Sequence, residues 1–341
     1  MGPESRCDLT ASLTCRPKEV IMAEVRAIQV VVGAGSLGLA VARELRRAGE
    51  RVRIVSRGGR TDASAGIEIV EADVSQAADA RRAFEGASVV YQCAAPRYSQ
   101  WPNLMPALMR GVTDGASAAG ARLVYGDNLY AYGRVTGPVT EDLPYSPVGP
   151  NARTRAEVAD SVLKAHADGR VRAAIGRGSD FYGPYALNST VGQRVFARLL
   201  TGKPAQVIGD PDAPHTVTYI DDFARGLITL GSRDEALGEV WHVPNAETVA
   251  VRRFAQLIGE VAERDGNVRA TPSWMLGIGG LFDPDLRALR EVLYQSEEPW
   301  IVDHSKFRRA FGADHTPHRE GIRATLDWFN ARHPAKSTLG S

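Results

Sequence analysis

The segment Val31-Val32-Gly33-Ala34-Gly35-Ser36-Leu37-Gly38 decides the fold class of this 341-residue chain. Its glycines have the spacing G-x-G-x-x-G. Residues 27–32 form a β-branched run typical of a buried strand, and residues 36–48 carry apolar side chains at helical spacing. A strand, this turn and a helix in succession form the context in which the motif binds the pyrophosphate of a dinucleotide. The alternative is an ordinary glycine-rich turn between a strand and a helix.

Each glycine has a physical task if the turn binds a dinucleotide. Gly33 allows the tight turn, Gly35 lets the backbone approach the phosphates, and Gly38 lets helix and strand pack closely. Ser36 and Leu37 open the helix, whose N-terminus faces the phosphate groups. We therefore expect these five residues to form the pyrophosphate site.

The end of the second predicted strand, residues 51–55, indicates which dinucleotide is bound. An acidic residue there would bind the ribose 2′-hydroxyl and favour NAD. The chain instead continues as Ser56-Arg57-Gly58-Gly59-Arg60, without an acid. Ser56 and Arg57 can donate to a 2′-phosphate, with Arg60 as a second cation, because a planar guanidinium suits phosphate. We predict NADP with NAD as a second possibility; alternatively, both arginines are solvated loop residues.

Short β-branched runs alternate with helical patterns as far as Arg177, which predicts a parallel sheet with crossover helices. Beyond it the pattern loosens, and residues 209–214 form a turn-rich loop. The predicted fold class is α/β, a Rossmann-type doubly wound parallel sheet with a smaller C-terminal α/β substrate lobe. We predict a disordered extension over residues 1–24, a dinucleotide-binding domain over 25–185, a substrate lobe partly interleaved with the core over 186–333, and a flexible tail over 334–341.

Composition argues against several classes of protein. Lys and Arg total 41 and Asp and Glu total 40, so we expect no basic surface for nucleic acid. No run of about 18 apolar residues predicts a membrane span, and residues 1–22 lack the apolar core of a signal peptide. The histidines and three cysteines show neither metal-ligand spacing nor a disulfide framework. We therefore expect a cytoplasmic protein without a metal site and without nucleic-acid or membrane partners.

Further motifs follow the glycine turn in a definite order. They are Asp73-Val74, Cys93-Ala94-Ala95-Pro96, Tyr132-Gly133 with Glu141-Asp142, Arg177 with Phe181-Tyr182-Gly183-Pro184, and Tyr219-Ile220-Asp221-Asp222. From about Ile28 to Trp328 the chain thereby resembles the extended short-chain dehydrogenase/reductase superfamily, in its NAD-dependent epimerase/dehydratase family. The resemblance implies that Asp73 and Val74 contact the adenine and that Cys93, Ala94 and Ala95 lie against the cofactor. It also implies a small-molecule substrate, and homodimers through the long helices after strands four and five are common in the family.

The chain departs from this superfamily in its catalytic residues. The usual pair is Tyr-x-x-x-Lys on the helix after strand five, where Lys lowers the pKa of the Tyr that moves the proton. No Lys lies between Lys18 and Lys164, and no lysine has a Tyr four residues before it. Asn128 occupies the expected Ser/Thr position, and Arg153 and Arg155 lie where the Lys would be. The chain therefore resembles the atypical members of the superfamily, which lack the motif.

Several residues could replace the missing pair. Asn128 can donate a hydrogen bond to a substrate oxygen, and Tyr130 could supply the proton if a neighbouring Arg depresses its pKa. We predict Asn128, Tyr130 and Arg155 as catalytic residues, Arg153 as a ligand of the cofactor ribose, and Asp127 as the nearest candidate base. For Tyr130, packing at the end of the strand is the alternative.

Other side chains could face a substrate. Asp180, Tyr182 and His215 could do so from the second lobe, although a histidine in a Pro-rich loop is more often a surface residue. The residues that follow the Ala-Ala-Pro segment could line the mouth of the pocket; they are Arg97, Tyr98 and Trp101.

Together these observations favour an NADP(H)-dependent oxidoreductase of the epimerase/dehydratase type, acting at a secondary alcohol or ketone of a small molecule. The missing Tyr/Lys pair leaves two alternatives: a redox-neutral isomerase or lyase with bound NAD(P), and a non-catalytic NADP-binding redox sensor. The predicted substrate lobe argues against the sensor, which needs no pocket. No basic cradle for a diphosphate is evident, so sugar nucleotides, polyketides and steroid-like metabolites are all considered as substrates.

Overall fold

The computed structural model describes residues 27–59, 62–63, 65–187, 189–272, 283–312 and 315–332. The predicted extension over residues 1–24, the predicted tail over 334–341 and Arg60 lie outside the described residues.

Seven parallel strands form the central sheet, in the order β11-β6-β5-β4-β1-β2-β3. Smaller pairs are β7 with β10, β8 with β13, and β9 with β12. The strands are β1 Ile28–Val32, β2 Arg51–Ser56, β3 Glu68–Glu71, β4 Ala87–Gln92, β5 Arg122–Asp127, β6 Arg172–Arg177, β7 Asp180–Tyr182, β8 Ala205–Ile208, β9 Pro214–His215, β10 Val217–Tyr219, β11 Val240–His242, β12 Val249–Ala250 and β13 Val268–Thr271.

Helices cover both faces of the central sheet. The helices are α1 Ser36–Arg47, α2 Ala77–Ala83, α3 Trp101–Ala118, α4 Gly149–Ala167, α5 Arg198–Leu200, α6 Ile220–Ser232, α7 Val251–Ala262, α8 Pro284–Leu289, α9 Tyr294–Glu297, α10 Ser305–Phe311 and α11 His318–Arg332. Short 3₁₀ turns lie at Tyr98–Gln100, Tyr130–Tyr132, Asp234–Ala236 and Arg290–Val292, and a π-helical turn spans Gly192–Ala197. Among the described residues, no helix is both long and apolar enough to cross a membrane.

Strand β1 shows why the sheet is buried on both sides. Val30 and Val32 pack with the layer formed by α2, α3 and α4, whereas Val31 packs with the layer formed by α1 and α6. Successive strand residues point to opposite faces, so a continuous apolar run is typical of a parallel strand covered by helices on both sides. The strand order reverses between β1 and β4, which opens a crevice at the carboxyl ends of the strands.

The predicted fold class is confirmed. The β-branched runs predict six strands, over residues 27–32, 51–55, 67–70, 88–93, 122–125 and 171–175, and all six overlap β1 to β6. The helical spacing predicts a helix from Leu104 to Ala119, whereas α3 begins at Trp101, because a proline in the first helical turn is tolerated. Strand β5 continues to Asp127, two residues beyond its predicted end at Tyr125. Helix α6 and strand β11 come from residues 186–333, the predicted substrate lobe, but they pack on and pair with the central sheet. The predicted domain boundary itself stays a prediction.

Candidate functional site

The glycine turn has the geometry that its sequence predicts. Gly33 has φ +102°, and a Cβ there would lie 2.9 Å from the backbone of Ala94. A Cβ on Gly38 would lie 1.9 Å from the carbonyl oxygen of Gly33. A Cβ on Gly35 would meet nothing within 4 Å, although this residue sits at the N-terminus of α1. The turn therefore leaves open space beside Gly35, where a phosphate can approach the backbone.

A cavity of about 400 Å³, here named the turn cavity, lies over this segment. Its lining includes predicted cofactor residues; these are Gly33, Gly35, Ser56, Arg57, Asp73, Val74, Cys93, Ala94 and Ala95. The Oγ of Ser56 is buried and has no hydrogen-bond partner among the described residues, whereas Arg57 is exposed. Buried polar atoms usually have a partner, so an unsatisfied hydroxyl beside an arginine fits a ligand that carries phosphate oxygens.

A second cavity of about 720 Å³, here named the central cavity, lies at the carboxyl ends of β4, β5 and β6. It shares Cys93, Ala94, Ala95 and Pro96 with the turn cavity. Ser36 and Leu37 also line it, as do the three predicted catalytic residues Asn128, Tyr130 and Arg155. An elongated ligand can therefore extend from the glycine turn past the Cys93–Pro96 segment to these residues.

Asn128 is oriented by its own chain. The backbone N–H of Tyr130 donates to Oδ1 of Asn128 at 3.1 Å, an Asx-type turn at the end of β5. The amide nitrogen Nδ2 has no hydrogen-bond partner among the described residues. Because Asn128 lines the central cavity, this amide can donate to a bound oxygen.

The pKa of Tyr130 moves in the direction opposite to the prediction. Burial raises it well above 10, and the neighbouring Tyr98 and Asp180 raise it further, while Arg155 lowers it by a smaller effect. Arg134, four residues later, pairs instead with Glu298. The expected depression of the Tyr130 pKa is therefore wrong. Tyr130 therefore keeps its phenolic hydrogen at neutral pH, so its chemistry favours a hydrogen-bond donor over a phenolate.

Asp127 is enclosed by two arginines. Its Oδ1 lies 3.1 Å from Nη1 of Arg155 and 3.1 Å from the hydroxyl of Tyr125, and its Oδ2 lies 3.1 Å from Nε of Arg177. All of these side chains are buried. With both carboxylate oxygens bound to cations, Asp127 is unsuited to the role of base that its position predicts.

The two predicted arginines of α4 differ in placement. Arg155 is buried, and its guanidinium lies 4.0 Å from the ring centroid of Trp101, which also lines the central cavity. Arg153 is exposed and lines neither cavity. Residues two apart on a helix point about 200° apart, so only one of the two can face the cavity. The structure therefore does not bring Arg153 to the predicted cofactor site.

The three candidates from the second lobe also differ in whether they reach the central cavity. Tyr182 is buried against Phe196 and Phe254 and lines neither the central nor the turn cavity. Asp180 lines the central cavity, and His215 is 3% exposed rather than a surface residue. The Nε2 of His215 lies 2.9 Å from Oδ2 of Asp180. These two residues are 35 positions apart and meet only through tertiary structure, so no sequence spacing could have paired them.

Two chemistries gain no support at this site. Burial raises the pKa of the Cys93 thiol, so a thiolate nucleophile is disfavoured at neutral pH. Within the described part of the chain, no group of three or more His, Cys, Asp or Glu side chains could hold a metal ion.

Comparison with known proteins assigns the family. Residues 29–243 match the model of the NAD dependent epimerase/dehydratase family. The chain belongs to this family. A dTDP-glucose 4,6-dehydratase of Xanthomonas campestris pv. campestris (strain B100) is 23% identical over 214 residues, which are 60% of this chain and 55% of the relative. The chain thus spans about half the length of the curated relatives that it matches.

Solved structures confirm the fold. The epimerase Mth375 of Methanothermobacter thermautotrophicus superposes with a TM-score of 0.75 at 21% identity, over 90% of this chain and 93% of that chain. A UDP-glucuronic acid 4-epimerase of Bacillus cereus, in complex with UDP-glucuronic acid and NAD, has a TM-score of 0.72 at 18% identity, over 89% and 99% of the two chains. The family and the fold predicted from the motifs are therefore confirmed.

Proposed function

We propose that this chain binds NADP(H) and acts as an oxidoreductase of the epimerase/dehydratase type at a secondary alcohol or ketone of a small molecule. One observation carries the proposal: the turn cavity and the central cavity meet at Cys93–Pro96, so the glycine turn and the side chains of Asn128 and Tyr130 border one continuous groove. When bound, the nicotinamide supplies the hydride donor or acceptor. The same groove leaves space beyond the catalytic residues for a substrate.

The residues at the end of β5 supply the polar contacts. Asn128 donates its free amide hydrogens to the substrate oxygen, and Tyr130, protonated at neutral pH, donates its phenolic hydrogen. Arg155 keeps a positive charge at the cavity wall, held in place by Asp127 and Trp101. Donors aimed at an oxygen that gains negative charge stabilise the transition state.

Ser56 and Arg57 support NADP as the cofactor. Both line the turn cavity at the end of β2, and the buried Ser56 hydroxyl lacks a partner among the described residues. A guanidinium and a hydroxyl together match a 2′-phosphate. NAD is the alternative cofactor, because the similar B. cereus epimerase was crystallised with NAD.

The lining of the central cavity supports a small molecule with an apolar body. Aromatic rings form much of the wall; they belong to Tyr98, Trp101, Tyr130, Phe181, Phe223 and Trp300. The guanidinium of Arg155 is already paired with Asp127, so it offers little to a diphosphate. Large apolar walls with a few convergent polar groups are typical of small-molecule sites.

A Tyr130→Phe variant tests the proposed role of the phenol. Loss of one donor to the reacting oxygen should lower turnover by about 100-fold or more, while the Kd for NADP⁺ stays unchanged. The matched control is Tyr132→Phe, since Tyr132 lines neither cavity and its hydroxyl contacts His242. Turnover is followed as NADPH consumption at 340 nm on a panel of ketones. Full turnover by Tyr130→Phe would remove the assigned role.

A redox-neutral isomerase or lyase is the second candidate. It is favoured by the similar proteins, which are a dehydratase and two epimerases. Product formation without any net change of absorbance at 340 nm would distinguish it from the oxidoreductase.

A further inference from the structure

Two buried histidines, His215 and His242, have the same type of partner at Nδ1 and different partners at Nε2. The Nδ1 of His215 lies 2.9 Å from the carbonyl oxygen of Gln295, and the Nδ1 of His242 lies 2.9 Å from that of Asp303. A carbonyl oxygen can only accept, so Nδ1 carries the proton in both rings. In a neutral ring, Nε2 is then an acceptor.

The second contact of His242 fits a neutral ring. Its Nε2 lies 2.9 Å from the hydroxyl of Tyr132, which donates to it. Burial and the nearby Arg177 lower the pKa of His242 to about 3, in agreement with that state. His242 therefore needs no additional proton.

The second contact of His215 requires a proton. Its Nε2 lies 2.9 Å from Oδ2 of Asp180, and a ring lone pair facing a carboxylate oxygen at this distance would be two acceptors in contact. Either the ring is cationic and the carboxylate ionised, or the ring is neutral and the carboxyl protonated. In either state, the pair holds one proton more than a neutral histidine and an ionised aspartate would hold together.

This proton lies at the wall of the proposed active site. His215 is 3% exposed, whereas the side chain of Asp180 is 20% exposed and lines the central cavity. Oδ1 of Asp180 makes no hydrogen bond to any described residue. Tyr130 lines the same cavity, and its pKa is raised in part by the charge of Asp180, so the two side chains are close. Strand pairing brings the two residues together. Asp180 of β7 pairs with Val217 of β10, and Val217 follows His215 by two residues.

Proton exchange with a substrate needs a group such as this one. Tyr130 holds its proton far above neutral pH, and Asp127 is enclosed by arginines. Neither of them can readily take a proton from an alcohol. Among the described polar side chains that line the central cavity, Asp180 is the one hydrogen-bonded to a buried histidine ring.

We propose that Asp180 exchanges the reaction's proton with the substrate oxygen and that His215 is its positioning residue, an inference that rests on the proposed function. In ketone reduction, a bound reduced nicotinamide would supply the hydride that the carbonyl carbon gains, and the Asp180–His215 pair would supply the proton that the carbonyl oxygen gains. The new O–H bond forms as the bond between that proton and the pair breaks, and the pair regains a proton from water in the cavity. Alcohol oxidation runs the same steps in reverse.

Other charged side chains border the pair. Asp127 and Arg155 line the central cavity but are bound to each other, and Arg97 and Asp285 lie at its rim. A smaller cavity of about 120 Å³ is lined by both Asp180 and Arg194, and Arg194 is exposed. These groups set the charge around Asp180, but none of them is hydrogen-bonded to the pair.

Nuclear magnetic resonance of the full chain tests the proton directly. With ¹⁵N-labelled histidine and ¹³C-labelled aspartate at pH 7, we expect a proton on Nε2 of His215 or on the carboxyl of Asp180, while Nε2 of His242 serves as the unprotonated reference. In Asp180→Asn, the amide can donate to Nε2 with unchanged geometry, so Nε2 of His215 should become unprotonated. An unprotonated Nε2 together with an ionised Asp180 in the wild type overturns the inference.

Turnover then tests the catalytic role. On a ketone panel with NADPH, Asp180→Asn should lose about 100-fold or more in turnover, with an unchanged Kd for NADP⁺. Asp212→Asn is the control, because Asp212 is exposed on the loop before His215 and pairs with Arg252. Full turnover by Asp180→Asn overturns this role alone. Tight NADP⁺ binding without turnover by the wild type overturns the proposed reaction together with the role, whereas no NADP⁺ binding overturns the cofactor assignment.

Discussion

At the scale of single residues, Gly35 and Gly38 lack a Cβ for different reasons. A Cβ on Gly38 would collide with the backbone of Gly33 at 1.9 Å, whereas a Cβ on Gly35 would enter open space. Gly38 is required by the packing of the protein itself. Gly35 is required only if a ligand fills the open space beside it. The two glycines thus separate a requirement of folding from a requirement of binding.

This difference predicts opposite behaviour of two alanine variants. Gly38→Ala should lower the free energy of unfolding by about 1–3 kcal/mol, because the turn must shift to admit the methyl group. Gly35→Ala should leave it unchanged and raise the Kd for NADP⁺ by about tenfold or more, since the methyl group occupies the phosphate position. Denaturant unfolding and calorimetric titration check both. Unchanged affinity in Gly35→Ala would contradict the pyrophosphate assignment.

The proposed preference for NADP over NAD can be tested at Arg57. Arg57→Ala should weaken NADP⁺ binding by about 10-fold to 100-fold, because a hydrogen bond to a charged group contributes about 1.5–3 kcal/mol, and should leave NAD⁺ binding unchanged. Arg81→Ala on α2 is the control, since Arg81 is exposed and lines neither cavity. Equal losses for NADP⁺ and NAD⁺ would show that Arg57 does not bind a 2′-phosphate.

Sequence could predict the glycines at this scale but not the raised pKa of Tyr130 or the burial of His215. The tasks of the glycines follow from a local strand–turn–helix pattern. The pKa of Tyr130 depends on Tyr98 and Asp180, which lie 32 and 50 positions away. The loop of His215 is rich in proline and aspartate, which favours a surface position. The structure instead buries this residue, whose ring contacts Asp180.

At the scale of elements, the carboxyl ends of β5, β6 and β11 carry a buried polar network. Asp127 and Arg177 pair at the ends of β5 and β6, and His242 of β11 accepts from Tyr132. A buried charge is costly unless it is paired, and here Asp127 and Arg177 are paired with each other.

The lowered pKa of His242 predicts a dependence of stability on pH. The unfolded histidine has a pKa of 6.5 and the folded one about 3, so only the unfolded state takes up a proton between these values. The stabilisation is complete above pH 6.5 and decreases by about 1.4 kcal/mol per pH unit as the pH falls towards 3. His242→Gln should remove this component. An identical pH slope of the unfolding free energy in wild type and variant would contradict the neutral buried state.

Elements of the sheet were predictable because their patterns are local and long enough to read. Six strands of four to six residues follow from short β-branched runs, and the helices between them follow from apolar residues at a period of 3.6. The strands of the second lobe have two to four residues and pair with partners far along the chain, as β8 does with β13. Such short runs lack a readable period, and residues 205–208 were therefore not assigned.

At the scale of the whole molecule, the groove exists because two halves of the chain meet at the reversal of strand order. Strands β1 to β6 supply the glycine turn, Cys93–Pro96 and Asn128, whereas residues beyond 177 supply Asp180 and the far wall of the central cavity. Helix α6 and strand β11 tie the second half to the sheet. The residues predicted at the turn line one cavity, and their contacts with a cofactor stay a prediction; Asp180, on the facing wall, comes from the second half of the chain.

The central claim is that one dinucleotide occupies this groove from end to end. A crystal structure of the full chain with NADP⁺ tests it most directly. We predict adenosine and 2′-phosphate in the turn cavity beside Ser56 and Arg57, pyrophosphate over Gly35, and the nicotinamide in the central cavity facing Asn128 and Tyr130. Absence of NADP⁺ from crystals grown at saturating concentration, or a nicotinamide placed outside the central cavity, would contradict the account.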